Sequence, residues 1–334
     1  MAANIQVNQV NVEARQPARV NLLQAAKVCF RFLPRWAPTL IYTVLLRPPF
    51  LRHRVNALLL QMIPKNVQVE GVTIALNPKD PIFFAALTTG VFETSETRFL
   101  RDKIKPGMRV LDIGANIGYY TALFSQWVGS EGLVTSFEPE PGNFHFLSET
   151  IAANQFTQTR AVNAAVGRAP GDALLFLSEY NQGDHRVYQS TDAEHTVKDR
   201  TVSVPMVSID TLISEQETVD FIKMDVQGAE WMVLAGMRET IRRNPNVMLL
   251  TEFWPQGLRG AGGDPANFLR ILQEDLKLTI WEVGEDAGAL TPVENAADLI
   301  RRHPGRKYVN LFCTRARAAA GGSAEEVSEL RKAA

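Results

Sequence analysis

The chain has 334 residues, 35 Lys/Arg against 36 Asp/Glu, and 46% hydrophobic content. That composition excludes a collagen-like, low-complexity or strongly charged disordered polypeptide and suffices for one large core. Two cysteines, Cys29 and Cys313, exclude a disulfide framework and set the expectation of a reducing, cytoplasmic location.

Charge is unevenly spread. Residues 1–65 hold nine Lys/Arg and one acid, Glu13, while the remainder holds 26 Lys/Arg against 35 acids. A basic head on an acidic body points to a local anionic partner and away from nucleic acid. The first sixteen residues are polar and show no signal-peptide pattern. From Val20 to Ile63 a helical pattern is broken by Pro34, Pro38, Pro48 and Pro49, which predicts short helices. The apolar run "WAPTLIYTVLL" is too short to cross a bilayer. Arg31, Arg35, Arg47, Arg52 and Arg54 interleave with Phe30, Trp36, Leu40 and Phe50. Such a segment suits either a helical cap on the main domain or peripheral contact with an anionic membrane surface.

"VQVEGVTIALNP" alternates around Glu70-Gly71 and reads as a hairpin. A helix is expected across 81–104, ending before Lys105-Pro106-Gly107. Strands then fall on "RVLDIG", "LVTSFEP", "TRAVNAAVG", "VDFIKMDV", "NVMLLTEFW", "LTIWEV" and "YVNLFCTR". Helices fit 118–128, 141–154, 229–243 and 265–275, and Thr291-Pro292-Val293-Glu294 looks like a capping box opening another. This alternation predicts an α/β fold with a doubly wound, mostly parallel sheet whose ligands lie beyond the carboxyl ends of the strands. The interval 172–204 breaks the rhythm and reads as a β-rich insertion with a polar loop of the kind that binds or covers a ligand. The expected organisation is a basic helical extension over 1–65, a main domain over 66–316 and a flexible tail over 317–334.

The most informative stretch is "RVLDIGANIGYYTALF". Gly114 and Gly118 let the backbone approach a ligand before a helix opens. The spacing lacks the third glycine of a dinucleotide turn and the Lys-Ser/Thr of a triphosphate loop. Asp112 repels phosphate and suits the ammonium of an amino-acid tail. Glu138, 24 residues after Gly114, ends the second strand without a basic neighbour, as a free ribose requires. Asn163 and Ala164 at the third strand end offer edges to an adenine. A ligand with an aminocarboxylate tail, a ribose and an adenine is S-adenosylmethionine. Asn116 sets this turn apart from a dinucleotide fingerprint, and its amide is expected to contact the aminoacyl tail or tie down the loop.

"VLDIGANIGYYTALFSQWVGSEGLVTSFEPEP", "ETIAANQ", "DFIKMDVQGAEWMVLAGM" and "LLTEFWP" resemble the FkbM family of S-adenosylmethionine-dependent methyltransferases over roughly residues 90–255. The resemblance implies a seven-stranded Rossmann-like methyltransferase sheet and methylation of a hydroxyl on a sugar, glycolipid or related product. It also suggests that Glu93, in "GVFETSETRFL", lies over the methionyl end of the cofactor, with solvated helix charges as the other reading of Glu93 and Glu96. The expected cofactor set is Glu93, Asp112, Gly114, Ala115, Asn116, Gly118, Tyr120, Thr121, Glu138, Pro139, Asn163, Ala164 and Asp225. Of Tyr119 and Tyr120, at least one is expected to be core packing.

Methyl transfer to a hydroxyl needs alignment, desolvation and a proton acceptor. Asp225, before the turn at Gly228, can orient the acceptor, take its proton or hold the cofactor's amine. Lys223 shares its face, either in a structural ion pair or in orienting substrate. Glu252 is a second acid beside Asp225 or a buried partner for Lys223. Glu230 suits a helix N-terminus. His185, in "NQGDHRVY", is a candidate proton acceptor, with an exposed turn as the alternative. No His/Cys/Asp set has metal-ligand spacing, so no metal is expected, with a metal-assisted reading on Asp225 and Glu252 as the alternative. The alternatives are a nicotinamide-dependent oxidoreductase on a similar sheet and a non-catalytic, membrane-associated module. The acceptor itself is not legible.

Overall fold

The computed structural model describes residues 64–77, 80, 87, 93–178, 183–189, 200–284 and 289–315. The basic head, the first half of the helix expected over 81–104, most of the polar loop of the insertion and the C-terminal tail lie outside the described residues.

In chain order, β1 (Asn66–Val69) and β2 (Val72–Ala75) form the expected hairpin. Its turn places Glu70 and Gly71 at φ 50° and 91°, the positive values that a tight two-residue hairpin requires. Next come α1 (Thr94–Lys103), β3 (Arg109–Ile113), α2 (Tyr119–Val128), β4 (Leu133–Phe137), α3 (Pro141–Ala153) and β5 (Thr159–Val162). Then follow β6 (Ala165–Val166), β7 (Gly171–Phe176), β8 (Thr201–Val207), α4 (Ile209–Leu212) and β9 (Phe221–Met224). Helices α5 (Glu230–Ala235) and α6 (Arg238–Arg243) lead to β10 (Met248–Phe253), α7 (Pro255–Gly260) and α8 (Pro265–Arg270). The chain continues through β11 (Thr279–Val283), β12 (Leu290–Pro292), α9 (Ala296–Arg302) and β13 (Val309–Thr314).

The main sheet runs β12-β11-β13-β10-β9-β3-β4-β5. Pairs from β10 to β5 are parallel, whereas β13 pairs antiparallel with both β10 and β11. All seven expected strands contribute to this sheet, and β12 is an addition. Strand β9 is buried throughout and β3 nearly so, because helices cover both faces. Leu111, Ile113, Ile222 and Met224 pack toward Val233, Leu234 and Phe268. Val110, Phe221 and Leu250 pack toward Leu100, Leu123 and Phe124. The β1–β2 hairpin docks on α3: Ala75 N–H donates to Thr150 Oγ1 (3.0 Å), and Asn154 Nδ2 donates to the Thr73 carbonyl (2.6 Å).

Several sequence expectations change. "TRAVNAAVG" divides, because β6 leaves the main sheet to pair with β8 in a small sheet ordered β6-β8-β7. The helix expected over 229–243 is two helices. Asp210 N–H and Ser208 Oγ both donate to the Gly236 carbonyl (2.8 and 3.0 Å), competing with the helix's own bonding. A Cβ on Gly236 would lie 2.0 Å from the Gly167 carbonyl oxygen, so the chain crosses where the helix breaks. The last turn of the 265–275 helix widens into a π turn over Ile271–Asp275. Thr291-Pro292 opens no helix; it lies in β12, where Glu282 and Trp281 of β11 face Thr291 and Pro292. Helix α9 starts four residues later, capped by Asn295, whose Oδ1 accepts from Asp298 N–H (3.1 Å).

Candidate functional site

A cleft opens beyond the carboxyl ends of β3, β4 and β9. Gly114, Asn116, Glu138, Pro139, Ala164, Asp225 and His185 all line it. Its remaining wall includes Asn143, Leu175, Val187 and Gln227, which the sequence did not single out. Asn143 had a local signal, standing in the first turn of the helix after Glu138; Leu175 and Val187 had none, since they reach the cleft only through the small sheet.

The turn after β3 is held by backbone crossing backbone. Gly114 has φ 86°, and a Cβ there would lie 1.8 Å from the Asp225 carbonyl oxygen. Gly118 has φ 90°, with Leu147 Cδ1 2.8 Å from a would-be Cβ. Gly114 and Ala115 N–H groups both donate to the Phe137 carbonyl (3.0 Å each), and Gly118 N–H donates to the Ala115 carbonyl (2.9 Å). Asn116 N–H donates to Glu138 Oε2 (2.8 Å). The amides that would cradle a pyrophosphate are therefore committed inside the protein, which removes the main donor set of a dinucleotide site. The loop is tied down through the Asn116 backbone, with Asn116 at φ 51°.

Glu138 is buried, and its second oxygen accepts from Glu140 N–H (2.9 Å). Burial raises its carboxyl to about 8 against the lowering effect of those two N–H bonds. Each oxygen keeps a further lone pair, so the group is an oriented acceptor at the cleft wall. Asn163 does not line the cleft; its amide donates to the Glu138 and Pro139 carbonyls (2.8 and 3.1 Å) and braces the end of β4. Asp112 lies beneath the floor, with Oδ2 accepting from Thr121 Oγ1 (2.6 Å) and Oδ1 buried without a partner. Burial raises its carboxyl, opposed by Lys223 and Thr121. Thr121 also meets Ser136 Oγ (2.9 Å), and Ala115 packs against Phe144 and Leu147, so both support the turn from behind.

Asp225 connects the cleft to a second group of charges. Its Oδ2 accepts from Lys223 Nζ (3.3 Å) and its Oδ1 from Gln227 Nε2 (2.9 Å). Lys223 is buried with Nζ 4.6 Å from the centre of the Tyr120 ring, and Tyr120 stacks on Phe124. Burial pulls the Lys223 ammonium down, but Asp225, Glu96, Glu93 and Asp112 outweigh it and raise its pKa. Glu252 rises well above the usual carboxylate range through burial and the charges of Asp225 and Glu230. Glu96 reaches about 8 through burial and Glu93, and accepts from Asn310 Nδ2 (2.6 Å). Glu93 is exposed at the start of α1. Glu230 caps its turn by accepting from Val226 and Gly228 N–H groups (3.1 and 3.2 Å). Among the described residues no group of three or more His, Cys, Asp or Glu is arranged to hold a metal ion.

The small sheet closes the far wall. His185 Nδ1 accepts from Ser178 N–H (3.0 Å), and burial holds the imidazole below its ordinary range. Arg186 pairs with Asp184 and lies over Trp254, its guanidinium 4.8 Å from the ring centre. Tyr188 OH donates to the Gln227 carbonyl (2.9 Å), joining the insertion to the turn after Asp225.

The reversed last strand and the cleft at the parallel strand ends define the class, the fold of S-adenosylmethionine-dependent methyltransferases. Residues 112–277 match the family described as the methyltransferase FkbM domain. S-adenosylmethionine is the cofactor of that class. Among curated proteins, the chain is 46% identical over 44 residues to protein-L-isoaspartate O-methyltransferase 2 of Arabidopsis thaliana, covering 13% of this chain and 14% of that one. It is 34% identical over 98 residues to protein-L-isoaspartate O-methyltransferase of Triticum aestivum, covering 29% and 40%. The chain thus spans well under half the length of these relatives. A crystal structure of methyltransferase FkbM from Methylobacillus flagellatus KT is similar with a TM-score of 0.39 and 15% identity, covering 79% of this chain and 59% of that chain. The residues present fit the cofactor: a carboxyl with a further lone pair on each oxygen at the second strand end, a cleft wall with no side chain at Gly114, and apolar Pro139 and Ala164 for a flat ring.

Proposed function

We propose that the chain methylates a hydroxyl of a small-molecule, glycan or glycolipid acceptor from S-adenosylmethionine. The observation that carries the reading is one cleft holding Glu138 at one end and the Lys223-paired Asp225 at the other, with the Gly114 turn between them. When bound, the cofactor supplies an electrophilic methyl group. Glu138 would accept from ribose hydroxyls, and Asp225, fixed by Lys223 and Gln227, would orient the acceptor hydroxyl and receive its proton. Glu252, kept protonated by its neighbours, donates to the acceptor's other oxygens. Tyr308, 59% exposed beside β13, offers an aromatic face to a sugar ring near Glu252.

The test is label transfer from methyl-labelled S-adenosylmethionine to glycan and glycolipid fractions by the full chain. Label on oxygen, with Asp225→Asn slowing turnover about a hundredfold or more, supports the reading. Label on nitrogen or carbon, or full activity in Asp225→Asn, refutes it. No helix among the described residues is long and apolar enough to cross a membrane. The proposed contact of the basic head with an anionic membrane is tested by sedimentation with phosphatidylglycerol vesicles, against phosphatidylcholine as control.

A further inference from the structure

The inserted sheet contributes one polar group to the cleft that the methyl-transfer scheme does not use. His185 sits between two fixed points. Phe176 and Arg186 exchange both backbone hydrogen bonds (2.7 and 3.1 Å), and Tyr188 OH is bonded to the turn after Asp225. The ring therefore has a set position in the wall, next to Pro139, Leu175 and Val187.

Its protonation follows from its contacts. Nδ1 accepts from Ser178 N–H, so in the neutral ring the proton is on Nε2. Burial favours that neutral ring over the opposing pull of Glu140, Asp184 and Asp80, with Arg200 acting in the same direction as burial. Nε2 is buried and has no partner in the protein. An N–H withdrawn from water without an acceptor is unfavourable, so the site is completed by a ligand that brings one. A neutral ring with Nδ1 occupied is a hydrogen-bond donor and not a base, which removes His185 from the proton-acceptor role expected from its sequence context.

We propose that His185 is a cofactor-binding residue supplied by the insertion, donating from Nε2 to a ring nitrogen of the cofactor's adenine. This rests on the reading of the cleft as an S-adenosylmethionine site. The division of labour is chemical: the Glu138 carboxyl, with lone pairs on both oxygens, suits ribose hydroxyls, whereas His185 Nε2 only donates and suits an aromatic nitrogen. The flat ring lies in the apolar slot of Pro139, Ala164, Leu175 and Val187.

The experiment is calorimetric titration of the full chain with S-adenosylhomocysteine and with analogues in which one adenine ring nitrogen is replaced by CH. One analogue binds the wild type about tenfold more weakly. His185→Asn places an amide where Nδ1 stands, keeping the Ser178 contact but not the reach of Nε2. It binds S-adenosylhomocysteine about tenfold more weakly with an unchanged melting temperature, and the penalty for that analogue disappears. His185→Gln, whose amide reaches the Nε2 position, recovers part of the affinity. Wild-type affinity in His185→Asn, or equal binding of every analogue by the wild type, overturns the proposal. No binding of S-adenosylhomocysteine by the wild type overturns the reading beneath it instead.

Discussion

Gly114 shows most directly how a single position carries the site. Its φ of 86° and the 1.8 Å approach of the Asp225 carbonyl to a would-be Cβ leave no side chain admissible. Gly114→Ala is expected to destabilise the protein by about 3 kcal/mol through strain and overlap, read as a lower urea midpoint. An unchanged midpoint would mean that the turns after β3 and β9 do not meet as described. The place of Gly114 and Glu138 at the ends of β3 and β4 is legible in the sequence because a strand, a glycine turn and the next strand's terminal acid are local features with fixed spacing. At Asn116, what ties the turn to Glu138 is the backbone N–H, which no side-chain argument addresses. His185 and Asn163 have contacts that the sequence does not show, for a related reason. Their hydrogen bonds to Ser178 and to the Glu138 and Pro139 carbonyls arise from chain paths that composition does not encode.

At the scale of elements, the buried strands were legible because apolar runs ending in an acid or a glycine alternate with helical periods. Helix limits were less so. Thr291-Pro292-Val293-Glu294 has the residues of a capping box, yet strand pairing with β11 claims Thr291 and Pro292, and the cap passes to Asn295. Asn295→Ala is therefore expected to cost about 1 kcal/mol and Thr291→Ala clearly less, compared by urea unfolding; the reverse order would restore the capping box. Gly236 gives the second lesson. Its carbonyl is taken by Asp210 and Ser208 from a distant segment, so the helix over 229–243 divides where local propensity alone predicts continuity.

For the whole molecule, the crowding of carboxyls around the cleft sets a pH dependence. Glu96 and Glu138 lie at about 8 and Glu230 at about 7, all raised from 4.5 first by burial. Between the unfolded value and these folded values the native protein binds more protons than the unfolded chain, so stability falls as pH rises through that window. The urea midpoint is expected to decline from about pH 5 to about pH 8; a midpoint that rises across the same range would show that these carboxyls are ionised in the fold.

Calorimetric titration of the full chain with S-adenosylhomocysteine decides whether the cleft joining Gly114, Glu138 and Asp225 holds S-adenosylmethionine. The wild type is expected to bind in the micromolar range and Glu138→Ala about a hundredfold more weakly, because the hydrogen bonds to the ribose disappear. Absence of binding by the wild type, or equal affinity in Glu138→Ala, would contradict it.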